Sequence, residues 1–121
     1  QYDKALDFFI NTLNTAKDVN GAEAEYLIAD IQYKQGQYKQ SIETLYDLNN
    51  NFSIYENWFG KSFLLLSDNF IALHELFQAK ATLKSIIEKS PHKESVEQAK
   101  KKLAIIESSE QKDEEEGGSG E

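Results

Sequence analysis

The stretch that decides the fold runs from Ala22 to Ser53 and reads AEAEYLIADIQYKQGQYKQSIETLYDLNNNFS. Apolar residues recur in each half at spacings of three and four, which is the period of an amphipathic helix. Gly36 separates the two halves, and glycine is common where a helix ends in a tight turn. The stretch therefore predicts an antiparallel pair of helices, near Ala22–Gln35 and Tyr38–Asn50.

The same pattern recurs 38 positions further along the chain. A helix pair repeated at a period of this size is typical of a solenoid, in which each pair buries its apolar face against its neighbours. The repeat extends the prediction to two more helices, near Tyr55–His74 and Leu76–Lys89. The matched positions are Ile28 with Leu66, Ala29 with Ser67, Tyr33 with Ile71, Ser41 with Ala79, Leu45 with Leu83, Leu48 with Ile86 and Ser53 with Pro91.

Further helices are predicted on both sides of these two repeats. Tyr2–Asn14 has the apolar pattern of a second helix without its partner, so we expect the chain to be a fragment of a longer array. Lys93–Ser108 is expected to form a closing helix with a polar outer face. The predicted divisions are a repeat domain in residues 1–106, with the truncated repeat in 1–14, repeats in 22–53 and 54–91 and the closing helix in 93–108, and an acidic, disordered tail in 107–121.

Composition excludes several classes of function. The 121 residues contain no cysteine, which excludes a disulfide framework and a thiolate metal site. All 13 basic residues are lysine, and the net charge is −8, so the basic, arginine-bearing face of a nucleic-acid-binding protein is not expected. No apolar run approaches the length of a membrane span.

Residues that could carry catalysis or bind a metal do not cluster in the sequence. His74 and His92 are the only imidazoles, and they are not both accompanied by an acidic residue in helical register, whereas a metal site would need three or four converging ligands. No serine lies in a nucleophile motif, and the glycines of residues 117–120 precede no lysine or helix. We therefore predict no enzyme activity, no catalytic residue, no metal site and no cofactor.

The residues of the repeat resemble a tetratricopeptide repeat. Ile28 beside Ala29, the turn at Gly36 with Tyr38, and the closing Pro91 correspond to positions of that family's pattern. The resemblance covers Tyr2 to about Ile106 and implies a right-handed α-solenoid of antiparallel helix pairs. The sequence departs from the family's pattern at His74, Leu48 and Ile86. Such variants are similar to repeat proteins of Bacteroidetes-like bacterial cell envelopes, which favours a periplasmic or envelope location over the cytoplasm.

The resemblance also implies where a partner would bind, because the first helix of each pair lines the concave surface in this family. Paired tyrosines on such a surface suit peptide recognition, although they could instead pack against the neighbouring helix. The family's clamp for a terminal carboxylate is not expected, since aspartates stand where asparagine would be needed and arginine is absent. The expected partner-binding residues are Tyr26, Asp30, Tyr33, Lys34, Lys61, Leu64 and Asp68. All of them except Leu64 are expected to be largely exposed along one continuous groove.

Three functions remain open at this point. The first is a non-enzymatic scaffold that binds a partner protein or peptide in its concave groove. The second is a small-molecule-binding helical domain or an enzyme accessory domain, which would need a convergent polar cluster. In the third, the acidic tail binds a basic partner by electrostatic attraction. No nucleic-acid partner and no membrane insertion are expected.

Overall fold

The computed structural model describes residues 2–15, 19–51 and 56–119, and within these ranges the chain is all α-helical, with no strand. Six helices were expected and six are found, and α5 begins and ends at the predicted residues. The helices are α1 (Tyr2–Thr15), α2 (Val19–Lys34), α3 (Tyr38–Asn51), α4 (Glu56–Ala72), α5 (Leu76–Lys89) and α6 (Lys93–Ser119). The all-α fold of stacked helix pairs is therefore confirmed.

The helices stack in two layers. Each helix packs against the next one in the chain, and α4 also contacts both α2 and α6. The helices α2, α4 and α6 consequently lie side by side as one layer, while α3 and α5 belong to the other. This arrangement explains why α4 has apolar residues on nearly every face, since it is covered by four other helices.

Equivalent turns join the two helices of each pair. In the first turn Gly36 has a φ of 78°, the amide of Gly36 donates to the carbonyl of Tyr33 and the amide of Gln37 donates to the carbonyl of Gln32. These two bonds form the motif with which a left-handed residue closes a helix. The second turn makes both bonds 38 positions later, with His74 at a φ of 60° in place of glycine.

The core lies between the two layers at the positions that the repeat predicts. Leu45 and Leu83, which are 38 positions apart, are both fully buried. Trp58 was expected to be mostly buried, and the structure agrees, because most of its surface is covered where it packs against the hydrophobic core. Its ring lies against the ring of Tyr26 at 5.4 Å between centroids. The tryptophan therefore covers the edge of the core and reaches the surface that α2 and α4 share.

The last helix is longer than predicted. It continues beyond Ser108 to Ser119, so the expectation of a disordered tail is wrong for residues 109–119. Glutamate, glutamine and lysine, which dominate residues 107–116, favour helix even where no apolar residue is buried. Glu110 also forms an ion pair with Lys80 of α5, at 2.8 Å between Nζ and Oε1. The division of the chain into a repeat domain and a separate tail stays a prediction.

Candidate functional site

A groove of about 400 Å³ runs along the layer formed by α2, α4 and α6. The structure brings together all seven residues that the sequence proposed as partner-binding, because each of them lines this groove. The residues of α2 form one wall, those of α4 the floor and those of α6 the other wall. The lining residues that the sequence prediction missed are Leu65, Glu94, Ser95, Gln98 and Lys102.

The missed residues lie mainly on α6. The sequence predicted a closing helix there and did not assign it to the concave layer. The alternation of the two layers could have predicted this position. The helix that follows the second helix of one pair takes the position of the first helix of the next pair, and α6 follows α5 in this way. Lys102 in particular lies 34 positions after Asp68 and pairs with it. The groove therefore has three helical sides.

The expected exposure of the groove residues is only partly correct. Lys34 and Lys61 are exposed, whereas Tyr26, Asp30, Tyr33 and Asp68 are half-buried. Leu64, for which no exposure was predicted, is buried, with 8% of its surface exposed. The reason is that adjacent helices of the concave layer contact one another, which covers the side chains that lie between them.

Aromatic rings form much of the apolar surface of the groove. Tyr26 packs against Trp58, and the ring of Tyr33 lies 5.6 Å from that of Tyr38. Both groove tyrosines also pack against the hydrophobic core. The packing alternative is therefore observed for both tyrosines, and each ring also lines the groove, whereas recognition of a peptide by these rings stays a prediction. Such fixed rings suit recognition, since little side-chain entropy is lost when a partner binds.

Two ion pairs lie within the groove. Lys34 Nζ is 2.8 Å from Asp30 Oδ2 on α2, and Lys102 Nζ is 2.7 Å from Asp68 Oδ1, which links α6 to α4. The hydrogen bond and the charge of Asp30 raise the pKa of Lys34. Lys61 takes a different contact, with Nζ 5.1 Å from the centre of the Trp58 ring, in the range of a cation–π interaction.

The tyrosine hydroxyls lie in a negative electrostatic environment. Burial raises the pKa of Tyr26, and the charges of Asp30 and Asp68 raise it further, although Lys34 acts in the opposite direction. Burial likewise raises the pKa of Tyr33, with Asp68 as the next cause. Both hydroxyls therefore stay protonated at neutral pH and can donate a hydrogen bond to a neutral acceptor, such as a peptide carbonyl.

A close helix contact fixes the third wall of the groove. Gly60 of α4 is buried against Ser95 of α6, so near that a Cβ atom added to the glycine would lie 2.7 Å from Ser95 Cβ. Real Cβ atoms essentially never come so close. Any larger residue at position 60 would push α6 away. The glycine therefore sets the distance between the floor and the α6 wall.

The described residues offer no arrangement typical of a catalytic or metal centre. No group of three or more histidine or acidic side chains among them could hold a metal ion. His74 is exposed at the second turn, and His92 lies half-buried before α6. None of the described helices is long and apolar enough to cross a membrane. What the groove can do chemically is to bind, through apolar rings, hydroxyl donors and paired charges.

Comparison with known proteins finds a match within the first repeat. Residues 23–53 match the family model described as Tetratricopeptide repeat. This part of the chain is similar to a tetratricopeptide repeat. The match covers α2 and α3, the pair at which the sequence resemblance is strongest, and the six stacked helices form a tetratricopeptide-like all-α fold. No curated protein and no solved structure matches the chain significantly. The resemblance to bacterial cell-envelope proteins stays a prediction.

Proposed function

We propose that the chain is a non-enzymatic protein-interaction module that holds a peptide segment of a partner protein in the groove of α2, α4 and α6. Tetratricopeptide repeats generally mediate protein–protein interaction. The observation that carries the proposal is that the seven residues expected from the sequence line one groove. Its volume of about 400 Å³ is suited to a few peptide side chains rather than to a folded domain.

The proposal is tested by selecting peptides on the purified full-length chain. A displayed library of random linear peptides is the probe, and the affinity of each selected peptide is measured by fluorescence polarisation. Tyr33→Ala removes a ring from the groove and is expected to weaken binding by more than about fivefold, the effect of losing an aromatic anchor. Tyr46→Ala is the matched control, because Tyr46 is exposed on α3 outside the groove. It should change affinity by less than about twofold.

A second variant keeps the test valid if Tyr33→Ala does not fold. Gln98 is exposed on α6 and lines the groove, so Gln98→Trp should fill the groove without disturbing the core. Its control is Glu97→Trp, at an exposed neighbouring position that does not line the groove. Peptides that bind both Gln98→Trp and Tyr33→Ala as tightly as the unaltered chain would overturn the proposal.

A further inference from the structure

We infer that the groove selects an uncharged peptide segment carrying a large apolar side chain, rather than an acidic motif, a basic motif or a chain-terminal carboxylate. This inference rests on the proposed function and names the chemistry of the partner. It depends on how the charges of the groove are arranged, and on which groups are left for a partner to contact.

The charged side chains that line the groove balance one another. The groove is lined by three lysines, Lys34, Lys61 and Lys102, and by three acidic residues, Asp30, Asp68 and Glu94. Three positive and three negative charges sum to zero, so the groove has no net charge with which to attract a charged motif. Partners of an interface generally have complementary potentials, and the complement of a neutral groove is a neutral segment.

Both aspartates of the groove already have partners. Asp30 and Asp68 are half-buried, with 25% and 28% of their side chains exposed, and each pairs with a lysine. A partner carboxylate that captured Lys102 would leave Asp68 unpaired in a half-buried position. Removing one member of a desolvated pair is costly, because the other charge stays behind without compensation. The Lys102–Asp68 pair, in which both side chains are partly buried, therefore resists exchange with a charged ligand.

The tyrosine hydroxyls favour a neutral hydrogen-bond acceptor over a carboxylate. The charges that raise the pKa of Tyr26 are those of Asp30 and Asp68, and the same negative charges repel a carboxylate placed beside that hydroxyl. A backbone carbonyl has no net charge and accepts the same hydrogen bond without this repulsion. An apolar side chain of the partner can at the same time contact Leu64, Leu65 and the rings of Tyr26 and Tyr33.

Lys61 and Glu94 do not alter this preference. Neither has an ion-pair partner among the described side chains, but they have opposite charges and lie on facing elements, next to the Gly60 and Ser95 contact. A charged ligand group attracted by one of them is repelled by the other. Lys61 is also engaged with the Trp58 ring. The end of the groove where they lie is therefore as balanced as its centre.

The test compares derivatives of one groove-dependent peptide from the selection. Replacing its principal apolar residue by Glu or by Lys should weaken binding by about tenfold or more in each case. The form of the peptide with a free terminal carboxylate and the form with a terminal amide should have affinities within about twofold of each other. Raising the salt concentration should likewise change the affinity by less than about twofold. An acidic or basic peptide preferred by about tenfold, or a free acid preferred to its amide, would overturn the inference.

Two charge-changing variants provide a further check. Lys102→Gln leaves Asp68 without its partner and gives the groove a net negative charge, so the Lys-containing peptide should gain affinity. Asp68→Asn gives a net positive charge, and the Glu-containing peptide should gain instead. Lys84→Gln, at an exposed position on α5 that does not line the groove, is the control and should change neither. Failure of either switch counts against charge balance as the basis of selection.

The outcomes separate this inference from the proposed function. If no selected peptide depends on Tyr33 or on Gln98, the proposed function fails, and the inference fails with it. If groove-dependent peptides are found but are consistently acidic or basic, the proposed function stands and only the inference is wrong.

Discussion

The side-chain amide of Asn69 donates a hydrogen bond to the hydroxyl of Ser41, at 3.0 Å between Nδ2 and Oγ. The Ser41 hydroxyl in turn donates to the carbonyl of Ala29, at 2.8 Å. This chain of two bonds joins α4, α3 and α2, so it fastens the second repeat to the first. All three residues are fully buried. The bonds therefore form where water cannot replace them.

Removing the serine should destabilise the fold. Ser41→Ala leaves the buried amide of Asn69 with one partner fewer, and we expect the free energy of unfolding to fall by about 1–3 kcal/mol. Urea unfolding followed by circular dichroism measures this change. The control is Ser109→Ala, at an exposed position on α6, which should change stability by less than about 0.5 kcal/mol. Equal effects of the two substitutions would contradict the role of the hydrogen bonds.

The two repeats should respond alike to truncation of their equivalent core residues. Leu45→Ala and Leu83→Ala each remove a fully buried side chain, and each should lower the free energy of unfolding by about 2–5 kcal/mol. Ile105→Ala, at a position that is 68% exposed, is the control and should cost far less. A loss below about 0.5 kcal/mol at either leucine would mean that the repeat alignment is misplaced.

Substitutions at the two equivalent turns should change the free energy of unfolding in opposite directions. His74 holds a left-handed conformation that is unfavourable for a residue with a Cβ atom, so His74→Gly should raise the free energy of unfolding, by up to about 1 kcal/mol. Gly36→Ala introduces the same unfavourable conformation into the first turn and should lower it, by about 1–2 kcal/mol. A stabilising effect of Gly36→Ala would contradict this account of the turns.

The repeat made most of the fold predictable from sequence, because its apolar spacing specifies helices and its period specifies how they pair. The groove residues of α2 and, apart from Leu65, those of α4 followed from this register together with the family resemblance. The α6 wall did not, since Ser95, Gln98 and Lys102 are ordinary polar residues whose role depends on the helix that they face. The half-burial of Tyr26 and Asp68, which were expected to be exposed, also depends on packing between helices, which the spacing along one helix does not contain.

The groove tyrosines should make stability fall at alkaline pH. Burial and the charges of Asp30 and Asp68 raise the pKa of Tyr26 in the folded chain, so its protonated form is favoured by folding. The resulting stabilisation is complete below the ordinary tyrosine pKa of about 10 and is lost as the pH rises through the folded pKa. We expect Tyr26→Phe to show a smaller loss of unfolding free energy than the unaltered chain above about pH 10.

The matched control for this pH dependence is Tyr46→Phe, which removes an exposed tyrosine hydroxyl and leaves the groove unchanged. Urea unfolding at a series of pH values, with tyrosinate absorbance recorded in parallel, measures both quantities. If Tyr26→Phe and the unaltered chain lose stability equally above about pH 10, the hydroxyl of Tyr26 is not coupled to folding.

The contact between Gly60 and Ser95 should be sensitive to a single methyl group. Gly60→Ala places a Cβ atom against Ser95, and we expect overpacking to lower the free energy of unfolding by about 1–3 kcal/mol, although alanine favours the helix more than glycine does. Ser95→Gly alone should cost about 1 kcal/mol, because it puts glycine within α6. The double variant restores the space and should therefore lose less than the sum of the two single losses. Strictly additive losses would mean that α6 does not rest on Gly60. In that case other contacts would hold the α6 wall of the groove in place, and the peptide affinity of Gly60→Ala would be unchanged.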